Sequence, residues 1–327
     1  MAKIFKDEID FTIYTRETDA QTKIRSATSF IDSVKQKFRQ KKNKQVHLLP
    51  WGKSQDNFEF RPAEVTLWSG QNGHGKSLMT SQVALSLMGQ GSKVCIASFE
   101  MKPATTLQRM ARMWIGTNPY SPEFQQDDGL KILDDLHDQF GEWTDDKLWL
   151  YDQMGTVNQD NIIGMTRYCG KELGINHIFI DNLSKCVKGE DDFNGQKNFV
   201  DELTSIARDY NVHIHLVHHL RKPANEYAIP DKHDNKGSGA ITDLIDNAFM
   251  VFRHKEKEDD IKEHGSHSKK LMDPDAYLLC RKQRNYEGSD DGEPSIKLWF
   301  HRDAQQYIGE KGDKPMYFPN FPHIATP

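Results

Sequence analysis

Gly70, Gly75, Lys76 and Ser77, within "SGQNGHGKS" at 69–77, complete the pattern G-x-x-x-x-G-K-[ST]. Residues of these types at this spacing hold phosphate. Gly70, Gly73 and Gly75 let the backbone turn tightly and aim successive N–H groups at one point. A helix starting at the end of the turn adds the positive end of its dipole. Lys76 then reaches toward the β- and γ-phosphates, the Ser77 hydroxyl faces Mg²⁺, and Leu78 follows in the first helical turn.

Four further stretches carry groups suited to the same chemistry. "CIASFEMKP" places Glu100 just after an apolar strand pattern. A carboxylate there can polarise the water that attacks a γ-phosphate. A glutamate that only balances a helix N-terminus would look the same. "HIFIDNLSK" ends an apolar run in Asp181, the arrangement by which a strand offers one carboxylate to Mg²⁺. "VHIHLVHHLRKP" ends another such run in His218 and His219. Successive strand residues face opposite ways, so only one of the two can report on a phosphate; two ordinary core or surface histidines are the plain alternative. "CRKQRNYEGSDDGE" puts Lys282 and Arg284 on one face of a late strand. They read either as a solvated basic face or as cations projected into a neighbour's site.

These groups need a scaffold that delivers them to one edge. Apolar, β-branched runs predict strands over 65–69, 93–98, 148–152, 177–180, 213–218, 248–253, 276–282 and 296–300. Helical spacing predicts helices over 78–88, 104–114, 158–173 and 199–210. Strands alternating with helices argue for an α/β fold with a mainly parallel central sheet flanked by helices. Ligands then gather at the carboxyl ends of the strands. Polar stretches at 187–198, 222–239 and 254–274 read as loops. Ile24, Ala27, Phe30, Ile31, Val34 and Phe38 recur at helical spacing and predict a further helix over 24–38, either packed on its own domain or docked on a neighbour.

Composition narrows the class. The chain has 327 residues with 36% hydrophobic and 28% charged content, enough to bury a core. Its net charge of −5 means that any nucleic-acid contact uses local basic patches. Four scattered cysteines, Cys95, Cys169, Cys186 and Cys280, form no zinc spacing and read as thiols in a reducing cytoplasm. No stretch approaches the ~18 apolar residues of a membrane span.

Taken in order, the five stretches resemble the hexameric replicative helicases of the DnaB type, with the phage primase-helicases and the mitochondrial helicase Twinkle in the same group. The resemblance runs over about residues 45–310. It implies a RecA-like P-loop NTPase core, with ATP and Mg²⁺ bound between subunits of a homo-hexameric ring. "GQNGHGKS" matches the Walker A motif. "SFEM" matches the segment that carries the catalytic glutamate, which gives that role to Glu100. "FIDNL" matches Walker B, which puts the metal-linked carboxylate on Asp181. "HHLRKP" is similar to the phage and Twinkle third motif, which favours His219 as the phosphate sensor. "KGSGAITDLIDNAFMVFR" at 236–253 resembles the fourth motif, whose loop contacts the DNA backbone in the channel; that assigns Lys236, Gly237, Ser238 and Gly239 to DNA. "KQRN" matches the cations that act in trans, Lys282 and Arg284 as the arginine finger.

The function so implied is an ATP-dependent DNA helicase of the cytoplasm. It would translocate 5′→3′ on single-stranded DNA and unwind duplex in replication. Primase, polymerase or a loader would be its protein partners. Two alternatives stay open: a RecA-like DNA-dependent ATPase of the recombinase or switch type, and an adaptor that joins a helicase ring without unwinding. The expected layout is an arm and linker helix over 1–45 and an ATPase domain over 46–327. So short a leading segment argues against an N-terminal primase-binding domain.

Overall fold

The computed structural model describes residues 3–5, 11–14, 28, 31, 35, 47–54, 58–187, 192–220, 225, 227–230, 239–285 and 295–320. The strands are β1 (Lys3–Phe5), β2 (His47–Leu48), β3 (Glu59–Phe60), β4 (Val65–Gly70), β5 (Val94–Ser98), β6 (Leu148–Tyr151), β7 (His177–Asp181), β8 (His213–His219), β9 (Asn247–Arg253), β10 (Ala276–Gln283), β11 (Ser295–His301) and β12 (Gln306–Ile308). The helices are α1 (Lys76–Gly89), α2 (Pro103–Ile115), α3 (Asp127–Thr144), α4 (Gln159–Lys171), α5 (Phe193–Tyr210), α6 (Gly239–Leu244) and α7 (Lys255–His264).

Every residue of β4, β5, β6 and β7 is buried. Strands covered on both faces belong in the middle of a parallel sheet. The ten-stranded sheet has the order β1-β6-β5-β7-β8-β4-β9-β10-β11-β12. Pairing is parallel from β1 through to β9. It turns antiparallel at β10, β11 and β12. The expected mainly parallel α/β sheet is thus present, closed on one side by an antiparallel extension.

Two apolar clusters fill the two faces. One gathers α1 (Met79, Val83, Leu87), α2 (Met110, Met113, Trp114) and Phe140 of α3 over Trp68, Ile96 and Phe249. The other gathers α4 (Ile162, Met165) and α5 (Phe199, Leu203, Ile206) over Leu67, Ala97, Ile178 and Leu216. Both ends of the chain reinforce this body. β1 extends the sheet along β6, and Phe11 meets Tyr151 and Tyr168 edge-on at 6.1 and 6.0 Å. At the other end, Phe318 is fully buried in the first cluster.

The eight expected strands and four expected helices all form, within a few residues of their predicted ends. Three readings need correction. The stretch 254–274, read as a loop, holds α7. Its seat is an ion pair, Lys257 Nζ to Asp275 Oδ1 at 2.6 Å with Lys257 4% exposed, rather than the apolar stripe that periodicity detects. The stretch 187–198, also read as a loop, contains the start of α5, where the Asp192 side chain accepts the Gly195 N–H at 2.9 Å. α3 escaped notice because it is mostly solvated and leans on Trp114 through Phe140 and Trp143. The helix expected over 24–38 lies outside the described residues, apart from Thr28, Ile31 and Lys35.

Candidate active site

β4 ends at Gly70 and α1 begins at Lys76, so residues 71–75 form the turn between them. Gly73 and Gly75 have φ of +77° and +85°, values that favour glycine. A Cβ on Gly75 would lie 2.2 Å from the Tyr307 hydroxyl, and one on Gly70 would lie 2.7 Å from the Val251 carbonyl. The loop is thus pressed against β9 and β12 with no room for a side chain at either glycine. His74 accepts the Arg253 N–H at 3.2 Å, and Arg253 Nη1 donates to the Gly73 carbonyl at 3.2 Å. Burial above all, with Lys255, Lys76 and Arg253 nearby, pushes the His74 imidazole down to about 4, so it is neutral here.

The strand register brings the remaining groups to the same edge. Gly70 pairs with His219, Asp181 with Val217, and Ser98 with Asp181. Glu100 follows two residues after β5. The cleft bounded by these ends has a volume of 330 Å³. Gly73, Gly75, Lys76, Ser77, Leu78, Glu100, Asp181 and His219 line it, together with Asn72 and Arg109. Of the expected nucleotide-site glycines, Gly70 stands just behind the wall, its carbonyl taking a hydrogen bond from Lys76.

Lys76 Nζ donates to the Gly70 and Gln71 carbonyls at 2.9 and 3.1 Å and lies 3.1 Å from His219 Nδ1. Burial pushes its ammonium down to about 8 against the pull of Asp181 and Glu100. A buried ammonium held by neutral partners gains most from an anion placed beside it. Ser77 Oγ donates to Asp181 Oδ2 at 2.5 Å. Burial raises the Asp181 carboxyl to about 6; Glu100 adds to the rise, and Ser77 and Lys76 oppose it. Hydroxyl and carboxylate oxygens side by side at a phosphate cradle are donors that Mg²⁺ accepts, since it takes few protein ligands and keeps phosphate and water. Among the described residues no cluster of three or more His, Cys, Asp or Glu forms a dedicated metal cage, so the fit is to a cation shared with phosphate.

Asn182 and Arg109 were missed from the sequence. Asn182 is fully buried. Its Nδ2 donates to a Glu100 carboxylate oxygen and lies 2.9 Å from His219 Nε2. Ser184 Oγ donates to its Oδ1, which fixes which way the amide points. Asn182 therefore ties Glu100 to His219, whose Nε2 is itself 3.5 Å from Glu100 Oε1. Strand alternation alone would have turned Asn182 away from Asp181, yet its amide lies behind the cleft wall against Glu100 and His219. Arg109 reaches the cleft from α2, where its Nη1 donates to Met101 Sδ at 2.7 Å. Its sole sequence signal is a place on the helix that follows Glu100.

Lys282 and Arg284 do not reach this cleft. They sit at the other end of the sheet, where Gln283 pairs with Asn247 and Asn247 with Thr66. Both lean on the end of α6. Lys236, Gly237 and Ser238 lie outside the described residues; Gly239 is the first residue of α6.

Fold and cleft together define a P-loop nucleotide-binding domain with a RecA-like sheet. The chain belongs to the AAA domain family, whose model matches residues 59–225. Its fold is that of a separately solved ATPase domain, with a TM-score of 0.69, 17% identity, and coverage of 88% of this chain and 100% of that one. It is also that of a DnaB-like replicative helicase described with its interactions with primase, with a TM-score of 0.66, 17% identity, and coverage of 87% of this chain and 67% of that one. No helix among the described residues is long and apolar enough to cross a membrane.

Proposed function

We propose that this protein is an ATP-dependent DNA helicase that works in replication as a homo-hexameric ring, travelling 5′→3′ on single-stranded DNA. One observation carries the reading: Lys76, Ser77, Asp181, Glu100 and His219 meet in one cleft, while Lys282 and Arg284 stand at the far end of the same sheet. A hydrolytic set split in this way calls for a second subunit. Similarity of fold to a solved ATPase domain and to a DnaB-like replicative helicase supports the same reading.

The proposed division of labour draws on the cleft geometry and on the motif resemblance. The turn N–H groups and Lys76 hold the β- and γ-phosphates. Ser77 and Asp181 hold Mg²⁺, which supplies charge neutralisation across the phosphates when bound. Glu100, held by Asn182, orients and polarises the attacking water. His219 touches both Lys76 and Asn182, so it feels departure of the γ-phosphate. Lys282 and Arg284 of the adjacent subunit stabilise charge on the transferring group. Lys236, Gly237, Ser238 and Gly239 meet the DNA backbone, a contact of phosphate with little base readout. A primase contact, described for one structurally similar helicase, is carried over as a partner to test.

Arg284→Ala tests the shared site. It should keep nucleotide affinity and lose hydrolysis by about 10³-fold or more. Mixed with Lys76→Ala chains, which are inactive alone, it should regain activity at interfaces that join an intact P-loop to an intact Arg284. An effect confined to its own subunit would refute the ring and leave the switch or adaptor readings.

A further inference from the structure

Arg284 is held by more than a strand end. Its Nη1 donates to Asp246 Oδ1 at 3.0 Å and its Nη2 to the Asp243 carbonyl at 2.9 Å. Its backbone N–H donates to the Asp246 carbonyl at 2.9 Å. Lys282 Nζ donates to the Thr242 and Asp243 carbonyls at 2.7 and 3.1 Å. Both cations thus rest on residues 242–246, the end of α6 and the short link into β9.

Asp246 is the pivot. Its side chain is 6% exposed, whereas that of Arg284 is 40% exposed. Oδ2 accepts the Val65 N–H at 2.9 Å, and the Asp246 N–H donates to the Val65 carbonyl at 3.0 Å. Val65 opens β4, the strand that ends at the phosphate loop. One carboxylate oxygen is therefore fixed to the central sheet and the other to a half-exposed guanidinium. A buried, charge-assisted bond of this kind sets the direction of a side chain that would otherwise sample many rotamers.

We propose that Asp246 is the positioning residue for Arg284, mounting its guanidinium on β4 and the end of α6 so that it meets the neighbouring subunit's phosphate site already aimed. The inference rests on the reading of Arg284 as a cation acting in trans. A finger that must first be oriented loses rate at the step it serves, and misplacement of about 1 Å costs on the order of 100-fold. Nucleotide affinity is untouched, because Asp246 is remote from the cleft of its own chain.

The test uses the full chain with Asp246→Asn, with Arg284→Ala as control and Lys76→Ala as complement. Asparagine keeps an oxygen for the Val65 N–H and removes the charge that holds Arg284. Asp246→Asn should bind a nonhydrolysable ATP analogue within about twofold of wild type and hydrolyse ATP at least about tenfold more slowly. Mixed in equal amounts with Lys76→Ala, it should regain activity, because about a quarter of interfaces then join an intact P-loop to a correctly mounted Arg284. Wild-type hydrolysis by Asp246→Asn beside an inactive Arg284→Ala would overturn the mount. So would a loss that mixing does not restore, since a purely structural defect stays with its own subunit. If Arg284→Ala itself hydrolyses normally, or is not rescued by Lys76→Ala, the shared site fails and the mount falls with it. Should the asparagine variant not fold, Asp246→Ser, whose hydroxyl can take the Val65 N–H without charge, carries the same comparison.

Discussion

Acidification should unfold this protein through four histidines below the cleft, at the opposite end of the strands, of which His177, His213 and His215 are buried and His47 is half-buried. Three of them form a chain. Trp68 Nε1 donates to His215 Nδ1 at 3.2 Å, so neutral His215 carries its proton on Nε2. That proton faces His177 Nδ1 at 3.0 Å, which places the His177 proton on Nε2, 2.7 Å from His47 Nδ1. The His47 Nε2–H then meets Ser92 Oγ at 3.1 Å. Alongside, His213 Nδ1 donates to the Arg61 carbonyl at 2.6 Å and its Nε2 accepts from Thr66 Oγ1 at 2.8 Å. The partners of all four rings are other rings, hydroxyls, an indole and a carbonyl. An added proton puts a second N–H on one ring, where it faces a donor or a buried site with no countercharge. Burial accordingly pushes His213 down to about 3, and pushes His177 and His215 well below the ordinary imidazole value and His47 below it. Each folded-state value lies below its unfolded value. The unfolded chain therefore binds more protons, and stability falls as pH drops through about 6.5. At pH 5, His213 alone withdraws about 2 kcal/mol relative to pH 8, and His177, His215 and His47, held low by burial, add to the loss. Asp181, raised to about 6, works the other way and returns about 1 kcal/mol over the same range, while His74 in the phosphate loop, lowered to about 4, adds to the loss. The net loss is a large part of the ~5–15 kcal/mol that stabilises a domain. Urea unfolding at constant ionic strength from pH 8 to 5 should show a shallow fall of the midpoint near pH 8, where buried Lys76 titrates, and a steep fall below about 6.5. His213→Gln should lessen the slope near pH 5.5 by about 1 kcal/mol per pH unit. A midpoint that stays level to pH 5.5, or a slope that the variant leaves alone, would mean that these rings do not make the fold acid-sensitive.

Two further perturbations probe the cleft. Gly75→Ala combines an unfavourable φ with a Cβ 2.2 Å from the Tyr307 hydroxyl, so it should distort the phosphate loop and weaken binding of a fluorescent ATP analogue at least about tenfold, against a strain cost of about 1–3 kcal/mol; unchanged affinity would mean that Tyr307 moves aside freely. Asn182→Ala should leave nucleotide affinity within about threefold and lower kcat on the order of 10–100-fold by freeing Glu100 and His219. A rise in KM with kcat intact would place Asn182 in nucleotide binding instead.

Legibility from sequence followed the kind of interaction that holds each part. β4, β5 and β7 are buried, largely apolar runs, and β8 alternates apolar residues with buried histidines; these patterns announce both the strands and the carboxyl edge where Gly70, Asp181 and His219 arrive. The phosphate loop was legible because glycine at fixed offsets has few other uses. α7 was not, because an ion pair between Lys257 and Asp275 seats it and leaves no periodic stripe. Asn182 was not, because its contact with Glu100 and His219 depends on how the chain leaves β7. The carboxylate of Asp246 was equally silent: only the folded register shows that Val65 and Arg284 share it. The acid-sensitive chain joins His47, His177 and His215, and nothing local in the sequence ties residues so far apart to one line of hydrogen bonds.

In the proposed function the cleft drives a ring along DNA. Its most direct test is steady-state ATP hydrolysis with and without single-stranded DNA, on protein whose solution mass is followed in the same Mg²⁺–ATP buffer. Strong stimulation by DNA together with a six-subunit mass is expected. Hydrolysis indifferent to DNA, or a chain that stays monomeric while it turns over ATP, would contradict it.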